Sequence, residues 1–161
     1  MVKKYEITSD CKTVDNVKVC RVKALRDINI NEIVKTKEGS LGGFIEKEGN
    51  LSQEGEAWVF GDAVVRDNAK ISDNAWVSSK AVVRDNAWVK DNAVVRDNAV
   101  VSGKAMVGGK AVVKCGTNLS DSVKVSSGKV CASEDIIFDS QDKLDNYLKG
   151  YTRLIENLKS D

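Results

Sequence analysis

The chain of 161 residues contains no proline and no histidine. His is the commonest general base near neutral pH and the commonest metal ligand, so its absence excludes Ser-His-Asp centres, Cys-His centres and multi-histidine zinc sites. An excess of charge is also missing, because 25 Lys and Arg residues stand against 24 Asp and Glu residues. The formal net charge of +1 provides no long-range field, so we expect no nucleic acid as a direct ligand.

Long hydrophobic runs are absent as well. No apolar segment approaches the roughly 20 residues that a bilayer crossing needs. The first residues, Met-Val-Lys-Lys-Tyr-Glu, carry charges with no apolar stretch behind them. We therefore expect a cytoplasmic protein that does not associate with a membrane.

A six-residue repeat occupies the middle of the chain. Ala recurs every six residues from Ala57 to Ala111, and an aliphatic residue follows each Ala by two positions, as Val65 follows Ala63. The hexad A-V-V-R-D-N occurs unchanged at Ala63, Ala81 and Ala93. Residues i and i+2 of a strand share a face, so each Ala and its aliphatic partner point into one narrow interior.

The second half of each hexad is a corner. It is built from Arg-Asp-Asn, Ser-Asp-Asn, Lys-Asp-Asn, Ser-Gly-Lys or Gly-Gly-Lys, and Asn, Asp and Gly adopt turn conformations at low cost. Three strands and three corners close a triangle of about 18 residues per coil. The fold class predicted is all-β, a left-handed parallel β-helix. A meander sandwich is the remaining alternative, although six residues are few for a strand and a reversal.

Different patterns flank the repeat. Residues 2–35 alternate polar and apolar around the turn signal Asp15-Asn16, which predicts a β-hairpin that protects the open edge of the first coil. After Ser133 the apolar residues follow helical spacing, and Ser140 is a candidate N-cap for a helix over about 141–159. The predicted segments are a hairpin cap at 1–38, a β-helix at 39–131 and a C-terminal helical segment at 132–161.

The repeat resembles the hexapeptide motif of the left-handed β-helix family, whose familiar members are acyltransferases and gamma-type carbonic anhydrases. The segment S-L-G-G-F-I-E-K-E-G-N-L-S-Q-E-G-E-A-W-V, from Ser40 to Val59, is similar to the opening segment of hexapeptide-repeat proteins of bacteriophages and prophages. Those proteins often carry the label of transferase on the repeat alone. The resemblance implies a small accessory protein of a phage or mobile element, in the cytoplasm of a bacterial host.

Positions 18 residues apart should stack, which sorts the outward-pointing residues into three walls. An exposed apolar wall on a small protein usually binds something, and Trp is a frequent interface anchor. We therefore predict a protein partner, either a host protein or a second copy in a homodimer or homotrimer. High β-propensity of Val and Trp on any strand is the alternative explanation. The predicted interaction surface comprises Trp58, Trp76, Val94, Trp88, Met106 and Val82.

Charged corners stack in the same way, with Arg66 above Arg84 and Arg96 above Lys114. Such rows usually form a solvated face. The alternative is that the grouped side chains hold a phosphate or an acidic partner.

The cysteines are Cys11, Cys20, Cys115 and Cys131. Cys11 and Cys20 should lie opposite one another across the hairpin, but a cytoplasmic protein normally keeps such thiols reduced. Cys115 falls at a corner and Cys131 at an inward aliphatic position. No C-x-x-C pair exists, so a zinc site of thiolates is not expected, and no other metal or cofactor is predicted.

Two functions from different classes compete. The family resemblance implies an acyltransferase, but acyl transfer in that family relies on a His that this chain lacks. We therefore predict a non-catalytic binding scaffold that antagonises a host defence system, by inhibiting a CRISPR effector or capturing a signalling nucleotide. A structural component of the virion is the second alternative.

Overall fold

The computed structural model describes residues 2–160 and confirms a parallel β-helix of about 5 turns with an N-terminal hairpin and a C-terminal helix. Met1 and Asp161, the outermost residues of the predicted segments 1–38 and 132–161, lie outside the described residues. Before the repeat, the strands are β1 (Tyr5–Val14), β2 (Val17–Ala24), β3 (Ile28–Asn29), β4 (Lys35–Thr36) and β5 (Leu41–Ile45), followed by a 3-10 turn at Glu48–Asn50.

The coils stack into three parallel faces, and most strands contribute two residues. Face 1 contains β5, β7 (Val64–Val65), β10 (Val82–Val83), β13 (Val100–Val101), β16 (Asn118–Leu119) and β19 (Ile137–Phe138). Face 2 contains β8 (Lys70–Ile71), β11 (Trp88–Val89), β14 (Met106–Val107) and β17 (Lys124–Val125). Face 3 contains β6 (Trp58–Val59), β9 (Trp76–Val77), β12 (Val94–Val95), β15 (Val112–Cys115) and β18 (Lys129–Ala132).

The interior is filled by the residues that the hexad predicts. Every repeat Ala from Ala57 to Ala111 and its aliphatic partner is buried in one core cluster. The parallel register pairs Val65 with Val83 and Val83 with Val101, so equivalent positions are 18 residues apart. One small and one branched residue per strand therefore fill each level of the prism.

Each corner turns at a residue in the left-handed backbone region. These residues recur every six positions: Gly55, Gly61, Asp67, Asp73, Ser79, Asp85, Asp91, Asp97, Gly103, Gly109, Cys115 and Asp121. Several of the Asp residues also join successive coils. The Asp67 carboxylate accepts the backbone N–H of Asp85, and the Asp97 carboxylate accepts that of Cys115. We call these contacts the aspartate ladder, which explains the Asp of the Arg-Asp-Asn corners.

The hairpin extends face 1 at its N-terminal edge. Strands β1 and β2 pair antiparallel through a turn at Asp15 and Asn16, whose φ angles of 49° and 66° suit a two-residue hairpin loop. Strand β2 then pairs antiparallel with β5, which pairs parallel with β7. As predicted, Cys11 lies opposite Cys20, but a disulfide joins them across 4.0 Å between Cα atoms, so the expectation of reduced thiols is wrong.

The last coil is one residue shorter than the others. Val113 pairs with Val130, 17 positions later, so Val130 points inward and Cys131 is exposed. The predicted inward position of Cys131 is therefore wrong, whereas Cys115 does turn a corner with φ of 62°. Cys115 and Cys131 form a second disulfide. The β-helix continues past residue 131 to β19.

Helix α1 (Gln141–Ser160) begins as predicted, with the Ser140 hydroxyl accepting the backbone N–H of Lys143 at 3.3 Å. It contacts the last strand of every face. Gln141 binds the backbone of Lys124 on face 2, and the Tyr147 hydroxyl donates to the Cys131 carbonyl on face 3. The Tyr147 ring also packs against Phe138 on face 1. The helix therefore lies across the C-terminal end of the prism.

Candidate functional site

The predicted stacking of the outward residues is confirmed in register. On face 3, Trp58 pairs with Trp76, and the row continues through Val94 to Val112. On face 2, Trp88 lies between Lys70 and Met106. On face 1, the row runs through Val64, Val82 and Val100. The structure thus brings the predicted interaction residues together within each face.

The start of two rows is not accessible. Trp58 is 0% exposed, and its ring packs edge-on against Tyr5 at the base of the hairpin. Val64 is buried in a small cluster with Val19 and Phe44. Trp58 therefore belongs to the interior and plugs the N-terminal end of the prism.

The remaining wall residues are half-buried by their neighbours. On face 3, the Trp76 ring packs edge-on against Phe60 with centroids 5.8 Å apart. On face 2, the Trp88 indole N–H donates to the Ser72 hydroxyl at 2.9 Å, and the Lys90 amino group lies 4.8 Å from the ring centroid. Trp76, Trp88, Val82, Val94 and Met106 are all half-buried. These faces present flat, partly shielded apolar surface without a pocket at either Trp.

The corner cations stack as predicted, but two of them are neutralised. Arg66 forms ion pairs with Asp67 at 2.8 Å and with Asp15 at 3.1 Å, which ties the hairpin tip to the first coils. Arg84 forms an ion pair with Asp85 at 2.9 Å. Each of these arginines therefore has a carboxylate where a phosphate would bind. Arg96 and Lys114 form no ion pair within residues 2–160.

A buried polar cluster closes the N-terminal end. The Lys4 amino group donates to the Ala57 carbonyl at 2.8 Å, and the Tyr5 hydroxyl donates to the Leu51 carbonyl. Burial, assisted by the nearby charge of Arg26, lowers the pKa of Lys4 to about 8 against the opposing effect of Glu56. Burial also raises the pKa of Tyr5. The donors are satisfied by backbone carbonyls, which is the arrangement of a structural plug.

The most exposed apolar surface of the β-helix end lies on α1. The helix has 20 residues and is about 30 Å long, but only its first half contacts the prism. Leu144 is buried in the core, and Tyr147 and Leu148 pack against it. The same stripe continues beyond the prism, where Tyr151 is 57% exposed, Leu154 56%, Ile155 37% and Leu158 70%. We call residues 151–160 the overhang. Sequence reasoning missed it, although the comparison of helix length with prism width could have indicated it.

A cavity of about 270 Å³ lies where α1 meets face 3. It is lined by Lys114, Lys129, Cys131, Tyr147, Leu148 and Tyr151. Lys114 pairs with Cys131 across the β15 and β18 ladder, and Lys129 is exposed. Like Lys114, Lys129 has no ion-pair partner within the described part of the chain. Of the predicted corner cations, Lys114 is therefore the one that faces a pocket.

Other kinds of site are not seen in residues 2–160. That part of the chain has no group of three or more His, Cys, Asp or Glu residues placed to hold a metal ion. None of its helices is both long enough and apolar enough to span a membrane. A comparison with protein-family models finds no match, and a comparison with curated proteins finds none either.

Proposed function

We propose that this protein is a non-catalytic binding scaffold of phage or mobile-element origin that acts through contacts with other proteins. The observation that carries this proposal is the overhang, where four large apolar side chains continue a stripe that is buried in the first half of the same helix. Helical stability comes mainly from packing an amphipathic face. A stripe that leaves its own core in this way is suited to a second packing partner.

A second copy of the chain is the occupant that fits the overhang. The stripe follows alternating spacing of three and four residues through Tyr147, Tyr151, Leu154 and Leu158, as in paired helices. In an antiparallel pair with its two-fold axis between residues 154 and 155, Tyr151 lies opposite Leu158 of the other copy and Leu154 opposite Ile155. All four side chains then find a partner in one self-complementary contact.

The charges around the overhang permit such pairing. Gly150, Thr152 and Asn157 lie next to the stripe and carry no charge, and Gly150 allows a close approach. Lys159 lies near the far end of the helix, so an antiparallel arrangement keeps the two copies of Lys159 apart. The net charge of +1 adds little repulsion between whole molecules.

Light scattering coupled to gel filtration tests this arrangement. At tens of micromolar, we expect the wild-type chain to form a dimer, and Leu154→Glu and Leu158→Glu to be monomers with unchanged circular dichroism. Arg153→Glu is the matched control, because it makes a larger change in charge on the opposite side of the helix, and it should stay dimeric. A monomeric wild-type chain would overturn the pairing. A trimer that Leu154→Glu dissociates would support self-association but not the two-fold geometry.

The proposed biological role is antagonism of a host defence complex. Its support is the similarity of the segment from Ser40 to Val59 to phage and prophage proteins. The accessible surface for a host protein is the half-buried apolar faces around Trp76 and Trp88, since rigid aromatic residues are effective anchors.

Phage plating on a host with an active CRISPR effector tests the role. Expression of the wild-type chain should raise plating efficiency, and Trp76→Ala or Trp88→Ala should lower it again. Thr152→Ala, on the helix flank, is the control. Equal plating with and without the protein would overturn effector inhibition. Mass spectrometry of nucleotides released from the purified protein separates the alternative, since a bound signalling nucleotide would identify capture as the activity.

A further inference from the structure

The Cys115–Cys131 disulfide lies at the wall of the cavity between α1 and face 3, and its two sulfur atoms differ in accessibility. Cys131 is exposed and lines the cavity, whereas Cys115 is half-buried in a corner. Thiol–disulfide exchange requires a nucleophile to reach one sulfur atom of the bond. The arrangement therefore offers Cys131 to an attacking group and leaves Cys115 as the leaving group.

The cavity also carries positive charge that is not neutralised by ion pairs. Lys114 precedes Cys115 in the chain and lies opposite Cys131 in the ladder, and Lys129 lies two residues before Cys131. The aromatic and aliphatic side chains of Tyr147, Leu148 and Tyr151 form the other wall. A cleft with one sign of charge and apolar walls concentrates small ions of the opposite sign.

We infer that this cavity binds small anionic thiols and that the Cys115–Cys131 disulfide is their reaction partner. The thiolate sulfur attacks the Sγ atom of Cys131 and forms a new S–S bond with it. The bond between Cys131 and Cys115 breaks, and its electron pair leaves on Cys115 as a thiolate beside the Lys114 ammonium group. A second thiol releases the first as a symmetric disulfide and leaves both cysteines reduced.

The position of Cys115 makes the exchange reversible. Its backbone N–H donates to the Asp97 carboxylate at 3.0 Å, and this contact does not depend on the sulfur atom. The parallel ladder of β15 and β18 also holds Cys131 near Cys115 when the bond is open. The two thiols therefore stay within reach of each other, and the bond can form again.

The Cys11–Cys20 disulfide is an internal control. It joins two half-buried residues on the hairpin, and neither lines a cavity among the pockets found in the described chain. Both bonds are present in the same molecule, so their reduction rates can be compared in one sample. A difference between them reports the environment of each bond and not the reagent.

The test is the rate of reduction of each bond by three thiols at one pH, corrected to equal thiolate concentration. The probes are 2-mercaptoethanesulfonate, which is anionic, 2-mercaptoethanol, which is neutral, and cysteamine, which is cationic. Alkylation and mass spectrometry separate the two bonds. At low salt we expect the anionic probe to reduce Cys115–Cys131 about tenfold faster than the neutral probe, with the cationic probe slowest. This order should disappear in 1 M NaCl.

Charge reversal identifies the residues. Lys129→Glu, at an exposed position, and Lys114→Glu should each remove the preference for the anionic probe, and Lys149→Glu, which lies on α1 outside the cavity, should leave it unchanged. The same preference at Cys11–Cys20, or its persistence in Lys129→Glu, would overturn the inference. The rates are also measured in Leu154→Glu, so that failure of the helix pairing proposed above does not affect the outcome.

Discussion

The carboxylate of Asp85 accepts a hydrogen bond from the backbone N–H of Gly103, one coil further along the chain, at 3.0 Å. The N–H of Asp85 itself donates to the carboxylate of Asp67, so the contact is one step of the aspartate ladder. Each such residue therefore has two tasks: it turns the corner at positive φ, and it binds the corner of the next coil. Gly turns the corner equally well but ends the ladder, as Gly103 does.

Substitution at Asp85 separates these two tasks. Asp85→Ala removes the acceptor and places a Cβ atom at φ of 61°, so we expect a loss of about 2–3 kcal/mol in the free energy of unfolding. Asp85→Asn keeps an oxygen acceptor and tolerates the backbone, and should cost less than about 1 kcal/mol. Urea denaturation measures both. Equal losses would show that the carboxylate contributes nothing beyond backbone tolerance.

Gly43 is predicted to be irreplaceable where β5 crosses the first coil. A Cβ atom at this position would lie 2.5 Å from a Val59 methyl carbon and 2.8 Å from the Ala63 carbonyl oxygen. Gly43→Ala should therefore destabilise the fold by about 1–3 kcal/mol in thermal or urea denaturation. Gly49→Ala is the control, because a Cβ atom there meets nothing within 4 Å. Matching losses in the two variants would contradict the close approach.

Lys4 makes stability depend on pH. Its pKa is about 8 in the folded chain and 10.5 in the unfolded chain, so between these values the unfolded chain binds more protons. The free energy of unfolding should therefore rise by about 2 kcal/mol from pH 8 to pH 10. The raised pKa of Tyr5 has the opposite effect above its ordinary value of 10, which sets the upper limit of the window.

Urea titrations at several pH values test this dependence. Lys4→Met removes the titrating group but keeps an unbranched apolar chain, so the rise between pH 8 and pH 10 should be absent in the variant. The comparison is between the slopes, since Lys4→Met also loses the hydrogen bond to Ala57 and changes the absolute stability. A wild-type slope equal to that of the variant would place the charged form of Lys4 in the folded chain.

Removal of each disulfide should have a different structural result. The Cys115–Cys131 bond spans 16 residues and the Cys11–Cys20 bond spans 9, so replacing either pair by Ser should cost on the order of 3 kcal/mol. Only the C-terminal pair holds the coil that anchors Tyr147. Hydrogen exchange should therefore accelerate in α1 in the Cys115→Ser/Cys131→Ser variant, but not in Cys11→Ser/Cys20→Ser. Faster exchange of α1 in both variants would contradict local anchoring.

Much of the fold could be predicted because the hexad carries its own geometry. The spacing of Ala63, Ala69 and Ala75 determines which residues point inward, and a period of six determines the coil of 18. The position of α1 was left open, because apolar spacing indicates a buried face without saying what buries it. Contacts with Lys124, Cys131 and Phe138 select the end of the prism.

The surface was harder to predict than the core. Period alone placed Trp58 on an accessible wall, but the hairpin covers it, because a cap must bury the outward residues of the first coil as well as its edge. The error at Cys131 arose from a different cause. The last coil is one residue short, and a shift of one residue reverses which side chains point inward.

The uniform spacing of the prism has a consequence for its length. Each coil contacts only its neighbours, so the two ends are independent of how many coils lie between them. An insertion of 18 residues would move α1 about 4.8 Å along the axis and leave it in the same orientation. An insertion of six residues would instead turn it by a third of a revolution, with the overhang pointing over a different face. The chain thus sets the reach of its C-terminal end by whole coils and the direction of that end by single hexads.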